Sequence, residues 1–147
     1  MKRVLLMLLL GIGGWVGCRP TDQANERQAL FTVLTRYFRG VEQTDLDTLN
    51  AYATADFRLF ENGKVWTNDS LWHELQKYQD TRIKFRMDTL RISVDQNIGH
   101  IAYFNHGDVY KNGTLIQTIN WMEDAAFRKE KGQWKIYFLH SSLQAGN

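Results

Sequence analysis

Glu130-Lys131-Gly132-Gln133-Trp134-Lys135-Ile136-Tyr137-Phe138-Leu139-His140-Ser141-Ser142 is the stretch that decides the fold. It opens with turn formers and then alternates with a period of two, as a strand with two unlike faces does. Trp134, Ile136, Phe138 and His140 share one face; Tyr137, Leu139 and Ser141 share the other. Just upstream, Lys111-Asn112-Gly113 is a turn of the same kind. Residues 100–110, 114–129 and 133–142 therefore read as consecutive antiparallel strands. Before them, Ile83, Phe85 and Met87 alternate, and Leu90, Ile92 and Val94 alternate on the opposite parity, which predicts a bulge near Asp88-Thr89.

The period is different in the N-terminal half. Leu30, Phe31, Leu34, Tyr37, Phe38 and Val41 recur at helical spacing, predicting a first helix from Glu26 to about Gly40. Thr44-Asp45-Leu46-Asp47, with an acid three residues after a hydroxyl, opens a second helix bearing Leu46, Leu49 and Tyr52. Phe57 to Phe60 is a short strand closed by Asn62-Gly63. Thr67-Asn68-Asp69-Ser70 caps a third helix with Leu71, Trp72, Leu75 and Tyr78 along one side. Helices first and an antiparallel meander after make an α+β chain.

Residues 1–17 have the anatomy of an export signal: Lys2 and Arg3, then the unbroken apolar run Val4 to Leu10. The run is shorter than the roughly 20 residues a membrane span needs. Gly17 directly precedes Cys18, the one cysteine of the chain. That pairing resembles the lipobox of bacterial lipoproteins, in which the cysteine carries the acyl chains, although Trp15 stands where leucine is usual. The expected layout is a lipoprotein signal peptide over 1–17, a tether over 18–25, one domain over 26–143 and a tail over 144–147. The protein would be lipid-anchored in the bacterial cell envelope, with Arg19 after the cysteine favouring the outer membrane.

Of the 147 residues, 18 are basic and 16 acidic. The excess resides in Lys2 and Arg3, so the remaining chain is charge-balanced and carries no stripe for nucleic acid. One cysteine excludes an internal disulfide, a dithiol redox pair and a cysteine-based zinc site. Five Trp, six Tyr and eight Phe fit half-buried strands or an aromatic-lined cavity.

The order of elements resembles the nuclear transport factor 2-like superfamily, and within it the SnoaL-like proteins and the association domain of calcium/calmodulin-dependent kinase. The likeness is carried by Thr44-Asp45-Leu46-Asp47, Ala55-Asp56-Phe57, His100-Ile101-Ala102-Tyr103, Gly132-Gln133-Trp134-Lys135-Ile136 and His140-Ser141-Ser142. It implies a cone of three N-terminal helices packed on a curved antiparallel sheet, whose concave face lines a pocket. Superfamily members include isomerases, hydrolases, dehydratases and pure binding or assembly domains, so the function rests on the pocket itself.

Parity decides which side chains face that pocket. A three-residue loop ending at Gly132 would pair Lys129 with Gln133, placing Trp121, Glu123 and Ala125 with Tyr137, Leu139 and Ser141. Asn112-Gly113 leaves two registers open, and a one-residue slip exchanges the faces. In the kinase association domain, the positions matching Asn105, Ala125 and Ser141 are basic and point into one cavity. The resemblance thereby puts Asn105 on Trp121's face, and His73 matches a pocket histidine there. None of the three matching positions is basic in this chain, so an anion-binding pocket is not expected.

The expected pocket is Trp66, His73, Tyr103, Asn105, Trp121, Glu123, Tyr137 and Ser141. It suits a small, mostly apolar ligand. The preferred function is non-catalytic binding of such a ligand or of a protein partner, as a homodimer held through the Trp134, Ile136, Phe138 stripe. The alternative is a SnoaL-like isomerase, dehydratase or hydrolase in which His73, Glu123 and Tyr103 perform acid–base chemistry. Tyr37 with Glu123 resembles the tyrosine donor and carboxylate base of the superfamily's isomerases. His106 with Asp108 reads as solvated sheet surface, and His140 as a packing or contact residue. The spacing of His100, His106 and His140 argues against a metal, and no cofactor is expected.

Overall fold

The apolar stripe of the first helix determines how the domain is layered. The computed structural model describes residues 20–145; the expected signal and Cys18 lie outside them. Helix α1 (Pro20–Gln43) buries Leu30, Val33, Leu34, Tyr37, Phe38 and Val41, one continuous face. It already runs at Pro20, six residues before Glu26, so residues 20–25 of the expected tether are helical. Gly99 admits the helix to the sheet, since a Cβ there would lie 2.4 Å from Leu30 Cδ1.

Helix α2 (Leu46–Tyr52) starts one residue later than the capping pattern predicts. Its cap is Asp45, whose Oδ1 accepts the Asp47 and Thr48 amides. Thr44 belongs instead to the end of α1, with φ 53. Helix α3 (Asn68–Leu75) has the reciprocal cap its sequence predicts: Thr67 Oγ1 accepts the Ser70 amide, and Ser70 Oγ accepts the Thr67 amide. Trp72 Nε1 donates to Thr44 O at 3.0 Å and ties α3 to the α1–α2 corner.

Six strands form one sheet among the described residues: β1 (Ala53–Glu61), β2 (Lys64–Trp66), β3 (Thr81–Asp95), β4 (Ile98–Lys111), β5 (Thr114–Glu130) and β6 (Gln133–Leu143), in the order β2-β1-β6-β5-β4-β3. The sheet is mixed rather than wholly antiparallel. After the meander the chain returns to lay β6 parallel to β1, with Glu61 opposite Ser141. No local pattern signals that long-range pairing.

Besides a register shift between Ala53 and Arg58 in the β1–β6 pair, three bulges set the faces of the meander. The one at Asp88/Arg91 lies where the parity change in β3 predicts it. The other two modify the expected turns. Lys131-Gly132 is a two-residue turn with both φ positive, pairing Glu130 with Gln133 rather than Lys129 with Gln133. A bulge then makes Phe127 face Ile136 while Ala126 faces Phe138, leaving Tyr137 as the extra residue. Trp134 and Ile136 therefore point into the core with Phe127, and only Phe138 of the expected stripe faces outward, edge-on to Phe60 at 5.1 Å. Asn112-Gly113 is likewise a two-residue turn, and a bulge at Val109/Tyr110 restores Asn105 to a position opposite Trp121.

At the end of the cone away from the cavity, Glu26 on α1 clamps the β5–β6 hairpin. Its carboxylate accepts Trp134 Nε1 and Lys129 Nζ, each at 2.5 Å, and the Lys129 ammonium lies 4.8 Å from the Trp134 ring centre.

Candidate functional site

Alternation along β4, β5 and β6 brings five of the expected pocket residues onto the concave face. Tyr103 pairs with Glu123, Asn105 with Trp121, and Glu123 with Ser141. Glu123 is the centre of the group. Asn105 Nδ2 donates to its Oε2 at 3.0 Å, and Ser141 Oγ donates to its Oε1 at 2.9 Å. Burial pushes the carboxyl up to about 7, the hydrogen bonds pull against that rise, and the charge of Glu61 adds to it.

The Tyr103 hydroxyl lies beside Glu123 and is raised far above its ordinary value by burial and by that charge. It is buried but misses hydrogen-bond geometry with any partner. Tyr37 arrives from α1; its hydroxyl donates to Asn68 Oδ1 at 3.0 Å, and Asn68 donates in turn to Asn50.

A cavity of ≈ 160 Å³ opens over this group. Val41, Leu71, Leu75 and Ile83 supply aliphatic walls. Phe38 packs on Phe85 at 4.8 Å, and Phe85 leans on Trp121 at 6.2 Å. Gly107 makes room for the indole, because a Cβ there would meet Trp121 Cζ3 at 2.7 Å. A larger hollow of ≈ 620 Å³ near Asp80, Arg82 and Tyr110 lies apart from the buried polar groups just described.

Of the expected pocket residues, Trp121, Glu123 and Ser141 line this cavity, Tyr103 and Asn105 share their sheet face without lining it, and three are elsewhere. His73 is exposed on α3, stacked edge-on to Trp72 at 4.9 Å, and does not line the cavity. The proposed His73–Glu123 acid–base pair is therefore not assembled. Tyr137, displaced by its bulge, lies 5.6 Å under the Arg128 guanidinium on the outer face. Trp66 is half-buried on β2, with Lys64 over its ring at 5.2 Å, and also lies outside the cavity. On the outer face, His106 bonds Asn120 and Asp88, while Asp108 accepts from Thr118. His100 pairs there with Asp124 at 2.6 Å.

One polar cavity residue escaped the sequence reading. Glu61 ends β1 on the face of Phe57 and Leu59, a period-two signal hidden by its place beside Asn62-Gly63. Burial raises its carboxyl, and the nearby Trp121 indole partly offsets the rise. That indole N–H is buried without closing a hydrogen bond. Among the described residues no group of three or more His, Cys, Asp or Glu could hold a metal ion.

The fold has a counterpart in sequence: the SnoaL-like domain matches residues 31–146. The chain belongs to the SnoaL-like family. Solved structures with the same fold include an NTF2-like protein from Cytophaga hutchinsonii, 9% identical with a TM-score of 0.70, covering 82% of this SnoaL-like chain and 99% of its own. A protein of Exiguobacterium sibiricum, described as a candidate calcium/calmodulin-dependent kinase II association domain, is 9% identical with a TM-score of 0.71, covering 89% and 100%. A protein of Shewanella frigidimarina, described as a candidate ketosteroid isomerase, is 18% identical with a TM-score of 0.62, covering 78% and 94%. At these identities the likeness is one of fold. No curated protein matches the SnoaL-like chain.

Proposed function

We propose that this SnoaL-like domain binds a small, mostly apolar molecule in the cavity over Glu123. The observation that carries the reading is an apolar-walled cavity with one buried polar row, which is how small-molecule sites are built. Its ≈ 160 Å³ is below the roughly 300 Å³ at which drug-sized pockets begin, so the ligand is small. Mass spectrometry of the organic extract of purified full-length chain tests it. A compound recovered in stoichiometric amount, and lost on filling the cavity with Leu75→Trp, is the expected result. A cavity that yields nothing and takes up no small probe would end the reading.

A second reading, catalysis, is favoured by one observation: a carboxyl with a pKa of about 7 is poised as a general base. Glu123 would accept the proton and Tyr103 would donate a hydrogen bond to the developing oxyanion. The candidate isomerase from Shewanella frigidimarina has the same fold. Exchange of the α-protons of cyclohexanone in deuterium oxide, lost in Glu123→Gln, would favour catalysis; no exchange by the wild-type chain would end it.

The domain is placed at the cell envelope, tethered through Cys18, on the strength of the basic and apolar pattern of residues 1–17. A homodimer keeps a different motive from the lost stripe. Phe60 and Met122, both more than 40% exposed at 43% and 47%, join Phe138 on the outer face. Sedimentation at high concentration decides between one copy and two.

A further inference from the structure

We propose that the ligand is a small organic ammonium ion, its charged head over Ser141 between Glu61 and Glu123 and its apolar body against the aromatic wall. This rests on the ligand-binding reading above and names the ligand's chemistry.

Three observations converge on it. The first is the charge of the lining: its ionisable side chains are Glu61, Glu123 and Tyr37, with no Lys, Arg or His among them. Every element around Glu123 repeats that pattern: Tyr37 from α1, Glu61 from β1, Tyr103 and Asn105 from β4, Ser141 from β6. A buried carboxylate without a counter-charge is costly, and two that repel are costlier. A cation is the one ligand class that relieves both.

The second is the placement of the acids. Ser141 pairs with Glu61 on one side and with Glu123 on the other, so the carboxylates flank it from adjacent strands. Strands lie about 4.8 Å apart, which leaves room for an ammonium head between the two acids. The third is the wall. The rings of Tyr37, Phe38, Phe85 and Trp121 line the cavity, and aromatic faces attract a desolvated organic cation. A buried acceptor beside Glu123 also lacks a partner: Asn105 Oδ1, on the amide that already bonds that acid. A carboxylate ligand would add a third negative charge, and a neutral one would leave both acids unpaired.

The probes are benzylamine, benzyl alcohol and benzoate, of nearly equal size and different charge, titrated calorimetrically into full-length chain at pH 8. The expected order is benzylamine over benzyl alcohol by roughly tenfold or more, with benzoate weakest. The preference for the amine should shrink in Glu61→Gln and at pH 5. Equal binding of amine and alcohol, or a preference for benzoate, overturns the ammonium assignment and leaves the cavity standing. Amine affinity untouched by both Glu61→Gln and Glu123→Gln places the amine elsewhere and overturns it too. Failure of all three probes removes the cavity reading and the assignment with it.

Discussion

Ser141 is the register partner of both cavity acids: it faces Glu123 across the antiparallel β5–β6 ladder and Glu61 across the parallel β1–β6 ladder. Its hydroxyl donates to Glu123 Oε1 at 2.9 Å, one of the bonds that keep a buried carboxyl from rising further. Ser141→Ala should raise the pKa of Glu123 above about 7. It should cost about 2 kcal/mol of stability at pH 8, where the lost bond served a charge, and under about 1 kcal/mol at pH 4. Urea unfolding at the two pH values measures the difference; an equal loss at both would mean that Ser141 does not serve the charged form.

Glu123 gives the whole domain a pH profile. Its folded pKa of about 7 lies above the ordinary 4.5, so the native chain holds this proton longer than the unfolded chain does. The associated stability is full below pH 4.5 and is lost as pH rises through 7, by about 3 kcal/mol in all. In Glu123→Gln that decline should vanish, leaving the variant the more stable of the two at pH 8. Denaturant midpoints between pH 4 and 8 test this, and a wild-type chain as stable at pH 8 as at pH 5 would count against it.

Much of this site was legible before the fold was seen. Tyr103, Asn105, Trp121, Glu123 and Ser141 converge because strand parity is a local property, and one correct assignment fixes a whole face. Tyr137 was misplaced for the same reason: a bulge of one residue, with no marker such as glycine, exchanges the face of everything before it. Glu61 was invisible because its cavity role depends on β1 joining β6 from some 80 residues away in sequence. His73 illustrates the limit of matching positions, since a helix rotated slightly about its axis sends the same position to solvent.

The indole of Trp121 lies over Gly107, where an added Cβ would meet both Trp121 Cζ3 and Ile83 Cδ1 within 2.8 Å. Gly107→Ala should displace the ring into the cavity, with a loss of about 1–3 kcal/mol, a changed tryptophan emission and weaker probe binding. Unaltered emission and binding would show that the ring tolerates the methyl group.

The proposed lipid anchor has a direct readout. Cells expressing the full chain with labelled palmitate should incorporate label into it, and Cys18→Ala should abolish incorporation. Label retained by the variant would remove Cys18 as the acceptor.

Glu26 joins α1 to the β5–β6 hairpin through Trp134 and Lys129. These bonds hold its carboxyl below the ordinary value, so their contribution is present above pH 4.5 and fades on acidification. Glu26→Ala should cost about 1–2 kcal/mol at pH 7 and less at pH 3, read from thermal unfolding. An equal cost at both pH values would assign the residue's role to packing.

That clamp also gives the molecule a mechanical axis. Six helical residues, roughly 9 Å, precede Glu26 on α1, and Asp22 to Asn25 are exposed. A pull on this end of the helix runs along its axis to Glu26, which hands the load to Trp134 and Lys129 and so to the β5–β6 ladder. The cavity lies beyond that junction, more than two turns further along α1 at Tyr37 and Phe38. Tension from an anchor would thus be grounded in the hairpin before reaching the walls that shape the site.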